Sequence, residues 1–232
     1  MMNHMNQLPV EVVPSFPAPS WEALEAALVC LQGVAPQFQI DIVDGQFVTA
    51  TAWPFTESFV PAEFDRLRAW STIFALEVDC MVTEPEQYLD TLVAAGVKRL
   101  VVHYGSTTQL PQIVAHATAH GYQLGLAFTN DVFCTQQTAI EAMVPAVSFV
   151  QVMGIKTVGA QGQPFDERTV TTVHTLRKAF PGLPIAVDGS VNADTIPGLL
   201  AAGANRLAPG SAIIATPHPA AAYTALVSLA SR

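Results

Sequence analysis

Eight short apolar segments, each followed by a longer stretch with helical spacing, constrain the fold of this sequence more than any other feature. The apolar segments predict β-strands over residues 10–14, 38–43, 73–79, 98–103, 122–128, 148–153, 184–188 and 205–208. The amphipathic stretches at 21–33, 85–96 and 193–204 reach a glycine at or near their end, where helices commonly stop. Strands that alternate with helices in this way form a parallel sheet.

The number of strand–helix units indicates how the sheet is arranged. Eight units in 232 residues predict an α/β fold with one closed (β/α)8 barrel, a TIM barrel. The prediction is a single domain over residues 1–232, with the barrel itself over about 8–230. A doubly wound open sheet is the alternative that the same units allow.

Composition and charge narrow the range of partners. Half of the residues are hydrophobic and the formal net charge is −9, which predicts a large core and argues against nucleic-acid binding. The sequence shows no signal-peptide pattern and no apolar run of 18 residues, so no membrane association is expected. Three cysteines without Cys-x-x-Cys spacing predict reduced thiols and a cytoplasmic location. A mean hydropathy of +0.35 leaves apolar area for a homo-oligomer.

Polar side chains lie near the C-terminal ends of four predicted strands. They are Asp41, Asp79, His103 and Asp188. In a barrel of this kind the active site lies at that end of the strands, and a buried carboxylate is costly unless it is paired or bound. Glu77 has the same facing as Asp79 on its strand, so the two are expected to share protons or a cation. A structural role for His103 and a helix-capping role for Asp188 are the simpler alternatives.

Glycine-rich loops follow the last three predicted strands. They contain Gly162, Gln163, Gly189, Ser190, Gly210 and Ser211. Glycines let backbone N–H groups approach an anion closely, and the loops after the last strands are the common phosphate site of this fold. The three loops therefore predict a phosphate site, against the alternative of ordinary turns.

Several segments resemble the ribulose-phosphate 3-epimerase family. They are IDIVDGQFV (40–48), EVDCMVTEPE (77–86), GLAF (125–128), AVDGSVN (186–192) and AGANRLAPGSAI (202–213), in the family's order. The resemblance implies a barrel of the ribulose-phosphate-binding type that acts on a small phosphorylated ketose. Such enzymes interconvert D-ribulose 5-phosphate and D-xylulose 5-phosphate by inverting carbon 3 through an enediolate.

The resemblance also implies roles for individual residues. Asp41 and Asp188 match the family's two acid/base aspartates, and Ser15 matches a serine that contacts the substrate. The three glycine-rich loops match its phosphate-binding loops. Met81 is a further candidate for the wall of the sugar pocket, with core packing as the alternative.

The sequence departs from the family at the metal ligands. The family holds its metal with two histidines and two aspartates, whereas this chain has Gln39 and Asp79 in the histidine positions. With Asp41 and Asp188 the set becomes all-oxygen, which suits Mg²⁺ or Mn²⁺ better than Zn²⁺. A site that uses no catalytic metal is the alternative.

Two other functions remain open from the sequence. The first is a barrel that binds phosphosugars without catalysis. The second is an aldolase that forms a Schiff base through Lys156, which follows the sixth predicted strand.

Overall fold

A parallel β-sheet forms the centre of the computed structural model, which describes residues 8–56, 58–159 and 162–231. Its strands are β1 (Glu11–Val12), β2 (Ser15–Phe16), β3 (Gln37–Val43), β4 (Ala75–Met81), β5 (Arg99–His103), β6 (Gln123–Thr129), β7 (Phe149–Met153), β8 (Ile185–Asp188) and β9 (Arg206–Ala208). Neighbouring strands follow the order β1-β9-β8-β7-β6-β5-β4-β3-β2, and every pair is parallel.

The sheet closes on itself because β1 and β2 are two halves of one extended segment. The N–H group of Val13 donates to Leu207 O at 2.8 Å on one side, and Pro14 O accepts from Gln39 N–H at 2.8 Å on the other. The segment thus joins β9 to β3, and the predicted TIM barrel is confirmed. The predicted strand 10–14 is divided at Val13 and Pro14 and extends to Phe16.

Helices surround the barrel. They are α1 (Trp21–Leu31), α2 (Leu67–Trp70), α3 (Leu89–Ala94), α4 (Leu110–His120), α5 (Asn130–Met143), α6 (Arg168–Ala179), α7 (Ile196–Ala202), α8 (Ser211–Ile214) and α9 (Pro219–Ala230), with 3₁₀ turns at Pro61–Arg66, Pro85–Gln87 and Val144–Ala146. The helix predicted over 85–96 therefore begins as a 3₁₀ turn. None of the helices in the described ranges is long and apolar enough to cross a membrane.

The main hydrophobic core lies between the sheet and the helices. Strand residues that point outward, such as Ile40, Val78 and Cys80, are fully buried there against helical leucines and isoleucines. This layer holds the strand ends in register, and the register positions the polar side chains at the barrel mouth.

The inside of the barrel contains a buried ion pair below those polar side chains. Arg206 of β9 donates to Glu77 of β4 at 2.8 Å and to Glu11 at 2.9 Å, and its guanidinium lies 4.5 Å from the ring centre of Phe149. The expectation that Glu77 shares a cation with Asp79 is therefore wrong. A guanidinium from the opposite side of the barrel neutralises Glu77 instead.

Candidate active site

Three carboxylates meet inside the barrel at the C-terminal ends of β3, β4 and β8. Asp41 and Asp79 are direct neighbours in the β3–β4 register, and Asp188 is the last residue of β8. All three are buried, and one oxygen of each lies within 4.8 Å of the others. We call Asp41, Asp79 and Asp188 the carboxylate triad.

Gln39 lies between two members of the carboxylate triad. It precedes Asp41 by two residues on β3 and so points to the same face. Its Nε2 donates to Asp41 Oδ1 at 2.8 Å and to Asp188 Oδ2 at 2.9 Å. A neutral amide thus connects the two predicted acid/base residues without adding positive charge.

The third carboxylate, Asp79, is held by two other side chains. His103 Nε2 lies 2.8 Å from Asp79 Oδ1, and Gln151 Nε2 donates to Asp79 Oδ2 at 2.8 Å. His103 therefore contacts the site through Asp79. Sequence reasoning missed Gln151, although an amide within the apolar strand β7 was a usable signal.

Burial and mutual repulsion change the acidity of the carboxylates. Burial, followed by the nearby charges of Asp188 and Asp79, raises the pKa of Asp41 well above its usual range. Burial and the charge of Asp79 raise the pKa of Asp188 to about 7. A carboxyl group with a pKa near 7 can both accept and release a proton at neutral pH.

The chemistry of these side chains fits a hard divalent cation. Three buried carboxylates converge, and Gln39 Oε1 and Gln151 Oε1 accept no hydrogen bond within the described parts of the chain. Buried charges of one sign are usually paired or bound to a metal, and oxygen ligands are those of Mg²⁺ and Mn²⁺. Gln39 and the carboxylate triad would hold such an ion.

A cavity of about 380 Å³ opens above the carboxylate triad. Its lining includes Ser15, Asp41, Met81, Gly162, Gln163, Asp188, Gly189, Ser190, Gly210 and Ser211. The predicted acid/base and substrate-binding residues thus surround one cavity, with the exception of His103. Gln39 and Asp79 lie behind its wall.

The glycine loops, which comprise Gly162–Gln163, Gly189–Ser190 and Gly210–Ser211, all line the cavity. Gly189 and Ser190 have left-handed backbone conformations, with φ of +98° and +54°. A Cβ atom at Gly189 would lie 2.8 Å from Ile155 Cγ1, so only glycine fits. No Lys or Arg occurs among the described residues of the lining, so an anion bound at these loops would depend on backbone N–H groups.

Two alternatives from the sequence do not match this geometry. Asp188 caps no helix, because α7 begins eight residues later, at Ile196, and Asp188 contacts Gln39 instead. Lys156 is exposed and lines a second cavity of about 360 Å³ together with His103 and Thr129. The lining of that second cavity contains none of the carboxylate triad. The structure therefore gives no support to the hypothesis of an aldolase that forms a Schiff base through Lys156.

Comparisons with known proteins agree with the fold and show the family. A family model described as "Ribulose-phosphate 3 epimerase family" matches residues 12–214. The chain is 30% identical over 185 residues to ribulose-phosphate 3-epimerase of Schizosaccharomyces pombe, covering 78% of this chain and 75% of the relative. It is 29% identical over 212 residues to the enzyme of that name from Eremothecium gossypii, covering 88% and 86%. A crystal structure of 3-hexulose-6-phosphate synthase shares the fold, with a TM-score of 0.70 over 96% of this chain and 99% of that chain at 19% identity. The chain belongs to the ribulose-phosphate 3-epimerase family.

Proposed function

We propose that this protein is an epimerase that interconverts D-ribulose 5-phosphate and D-xylulose 5-phosphate or a closely related ketose phosphate. The observation that carries the proposal is the placement of Asp41 and Asp188. Both line one cavity that the glycine loops also line. A ketose phosphate with its phosphate on those loops would have its sugar carbons beside the two carboxyl groups.

Proton transfer is the role of the two aspartates. One carboxylate removes the proton from carbon 3, the electron pair moves toward the C2 carbonyl oxygen, and the other carboxyl group returns a proton to the opposite face. Because burial raises the pKa of Asp188 to about 7, this group has both protonation states available near neutral pH. Ser15, whose Oγ lies 3.5 Å from Asp188 Oδ1, is placed to orient that carboxyl group or a sugar hydroxyl.

The enediolate intermediate needs stabilisation of its negative charge. A divalent cation held by Gln39 and the carboxylate triad would supply it, with Mg²⁺ or Mn²⁺ preferred over Zn²⁺ by the oxygen ligands. Loss of one electrophilic stabiliser commonly lowers a rate about 10²–10³-fold. The rate of this chain without added cation is therefore expected to be low. A cytoplasmic location and a homo-oligomeric state remain predictions.

Hydrogen exchange at carbon 3 tests the proposal. In D₂O with Mg²⁺ or Mn²⁺ present, the protein should introduce deuterium at carbon 3 of ribulose 5-phosphate, and Asp188→Asn should abolish the exchange. Asp194→Asn is the matched control, since Asp194 is exposed in the loop that follows β8 and lies outside the cavity lining. Its exchange rate should equal that of the parent protein.

Two results would overturn the proposal. Thermal stabilisation by ribulose 5-phosphate without any exchange, whichever divalent cation is supplied, would indicate a non-catalytic binding protein. Inactivation by borohydride with substrate, lost in Lys156→Ala, would indicate a Schiff-base aldolase.

A further inference from the structure

A cluster of two histidines and one aspartate lies on the outside of the barrel, away from the cavity. His116 and His120 are four residues apart on α4 and so project from the same face of the helix. Their rings are stacked, with centres 4.2 Å apart and an interplanar angle of 22°. Asp90, in the first turn of α3, places Oδ1 at 2.9 Å from His116 Nε2.

We propose that Asp90, His116 and His120 form a surface binding site for a borderline divalent transition-metal ion such as Zn²⁺ or Ni²⁺. One ligand atom from each residue lies within 4.8 Å of the other two, so small side-chain rotations bring all three onto one ion. Two imidazole nitrogens, one carboxylate oxygen and a water molecule make a common four-coordinate zinc set. We call these three residues the α3–α4 site.

Tyr122 supports this assignment from behind His116. Its hydroxyl lies 3.1 Å from His116 Nδ1, and the Tyr122 side chain is buried directly before β6 begins at Gln123. Histidine ligands typically donate their second ring N–H to such a partner, which fixes the ring and leaves the other nitrogen free for the metal. Here the contact directs Nε2 of His116 toward Asp90.

The ligand chemistry separates the α3–α4 site from the carboxylate triad. Imidazole nitrogen favours Zn²⁺ and Ni²⁺, whereas the all-oxygen set at the barrel mouth favours Mg²⁺ and Mn²⁺. An ion at the α3–α4 site would connect the helices that follow β4 and β5. Because the ion would bind the folded chain only, it would stabilise the protein as its concentration rises above the dissociation constant.

Zinc titration of the full chain tests the proposal. With Mg²⁺ in excess at the barrel mouth, calorimetry should show one Zn²⁺ equivalent that is lost in His120→Gln and in Asp90→Asn. His174→Gln is the matched control, since His174 is also an exposed histidine on a helix, α6, and it should keep the equivalent. Tyr122→Phe should weaken Zn²⁺ binding about 10–100-fold. Carbon-3 exchange should be the same in the parent, His120→Gln and His174→Gln proteins, so failure of the proposed epimerase activity would not affect this test.

A second readout does not depend on the variants. In the parent protein, Zn²⁺ should shift the imidazole NMR signals of His116 and His120 and leave those of His174 unchanged. Equal Zn²⁺ stoichiometry in the parent and His120→Gln proteins, or unchanged His116 and His120 signals at saturating Zn²⁺, would overturn the proposal. The contact between Asp90 and His116 would then be a surface ion pair alone.

Discussion

At the scale of single residues, Gln39 holds two of the three buried carboxyl groups together. Its one amide nitrogen donates to both Asp41 and Asp188. Each of these carboxyl groups is more acidic with the hydrogen bond than without it, which partly opposes the effect of burial. Gln39 therefore keeps two carboxyl groups next to each other at neutral pH.

Removal of this amide should destabilise the protein. Gln39→Leu leaves two buried carboxyl groups without their shared donor, so the free energy of unfolding should fall by about 1–3 kcal/mol. Urea denaturation at pH 8 with EDTA would measure it. Gln137→Leu, at an exposed position on α5, should change the free energy of unfolding by less than about 0.5 kcal/mol. Equal stability of the Gln39→Leu and parent proteins would show that the amide does not hold the carboxylates.

The sequence was informative about residues whose position follows from the strand pattern. Asp41 and Asp188 could be placed at the mouth because Asp188 ends an apolar strand of a barrel and Asp41 lies two residues before the end of another. The partners of Asp79 could not be derived. His103 and Gln151 come from β5 and β7, and only the closed geometry brings them to one carboxylate. The Glu77 expectation was wrong for the same reason, since Arg206 reaches it from β9 across the barrel interior.

At the scale of elements, the glycine loops depend on backbone conformations that other residues rarely adopt. Gly189 follows β8 directly and has a left-handed conformation. Gly189 and Ser190 both line the cavity. The Ser190 side chain then donates to the carbonyl oxygen of Gln163, which links two of the loops. The loops after β7 and β8 therefore form one connected surface.

Substitution of Gly189 should weaken phosphate binding by more than a loss of folding stability would cause. In Gly189→Ala the new residue would have a left-handed φ and its Cβ atom would lie 2.8 Å from Ile155. Gly33→Ala is the control, because its φ of +75° is also left-handed but its Cβ atom would have no atom within 4 Å. Calorimetry should show that only Gly189→Ala loses its preference for ribulose 5-phosphate over unphosphorylated ribulose. Unchanged preference in Gly189→Ala would remove the loop after β8 from the phosphate site.

Element boundaries were harder to predict than element types. The strand predicted over 73–79 lies at Ala75–Met81 in the structure, because Phe74 still belongs to the preceding turn through its N–H bond to Trp70 O. The interruption of the first strand is a tertiary effect. Its two halves bond to different neighbours, β9 and β3, and no local pattern contains that information.

At the scale of the whole molecule, the carboxylate triad links stability to pH. The raised pKa values of Asp41 and Asp188 mean that the folded protein holds protons that the unfolded chain has already released. The stabilising contribution is complete below about pH 4, where both states are protonated, and is lost as the pH rises through about 7 for Asp188. The metal-free protein should therefore become less stable from pH 5 to pH 8.

Divalent cations should reverse this trend. On the proposed function, Mg²⁺ or Mn²⁺ would bind the ionised carboxylates, so either cation should raise the free energy of unfolding more at pH 8 than at pH 5. Denaturation curves at both pH values, with EDTA and with each cation, would measure the effect. Asp188→Asn should reduce both the pH dependence and the cation effect. A metal-free protein more stable at pH 8 than at pH 5 would contradict the buried-carboxylate explanation.

The buried position of Cys80 gives the chain its own reporter of barrel opening. Cys30 and Cys134 are exposed, whereas Cys80 lies fully buried between sheet and helices, where burial raises the pKa of its thiol. An alkylating reagent should modify the two exposed thiols rapidly, and Cys80 only when the barrel opens, because the protonated buried thiol is unreactive. Mass spectrometry after timed labelling would follow each cysteine separately. A bound ketose phosphate should slow the reaction of Cys80 alone. The labelling rate of Cys80 would then report how long the barrel stays closed, without an engineered cysteine.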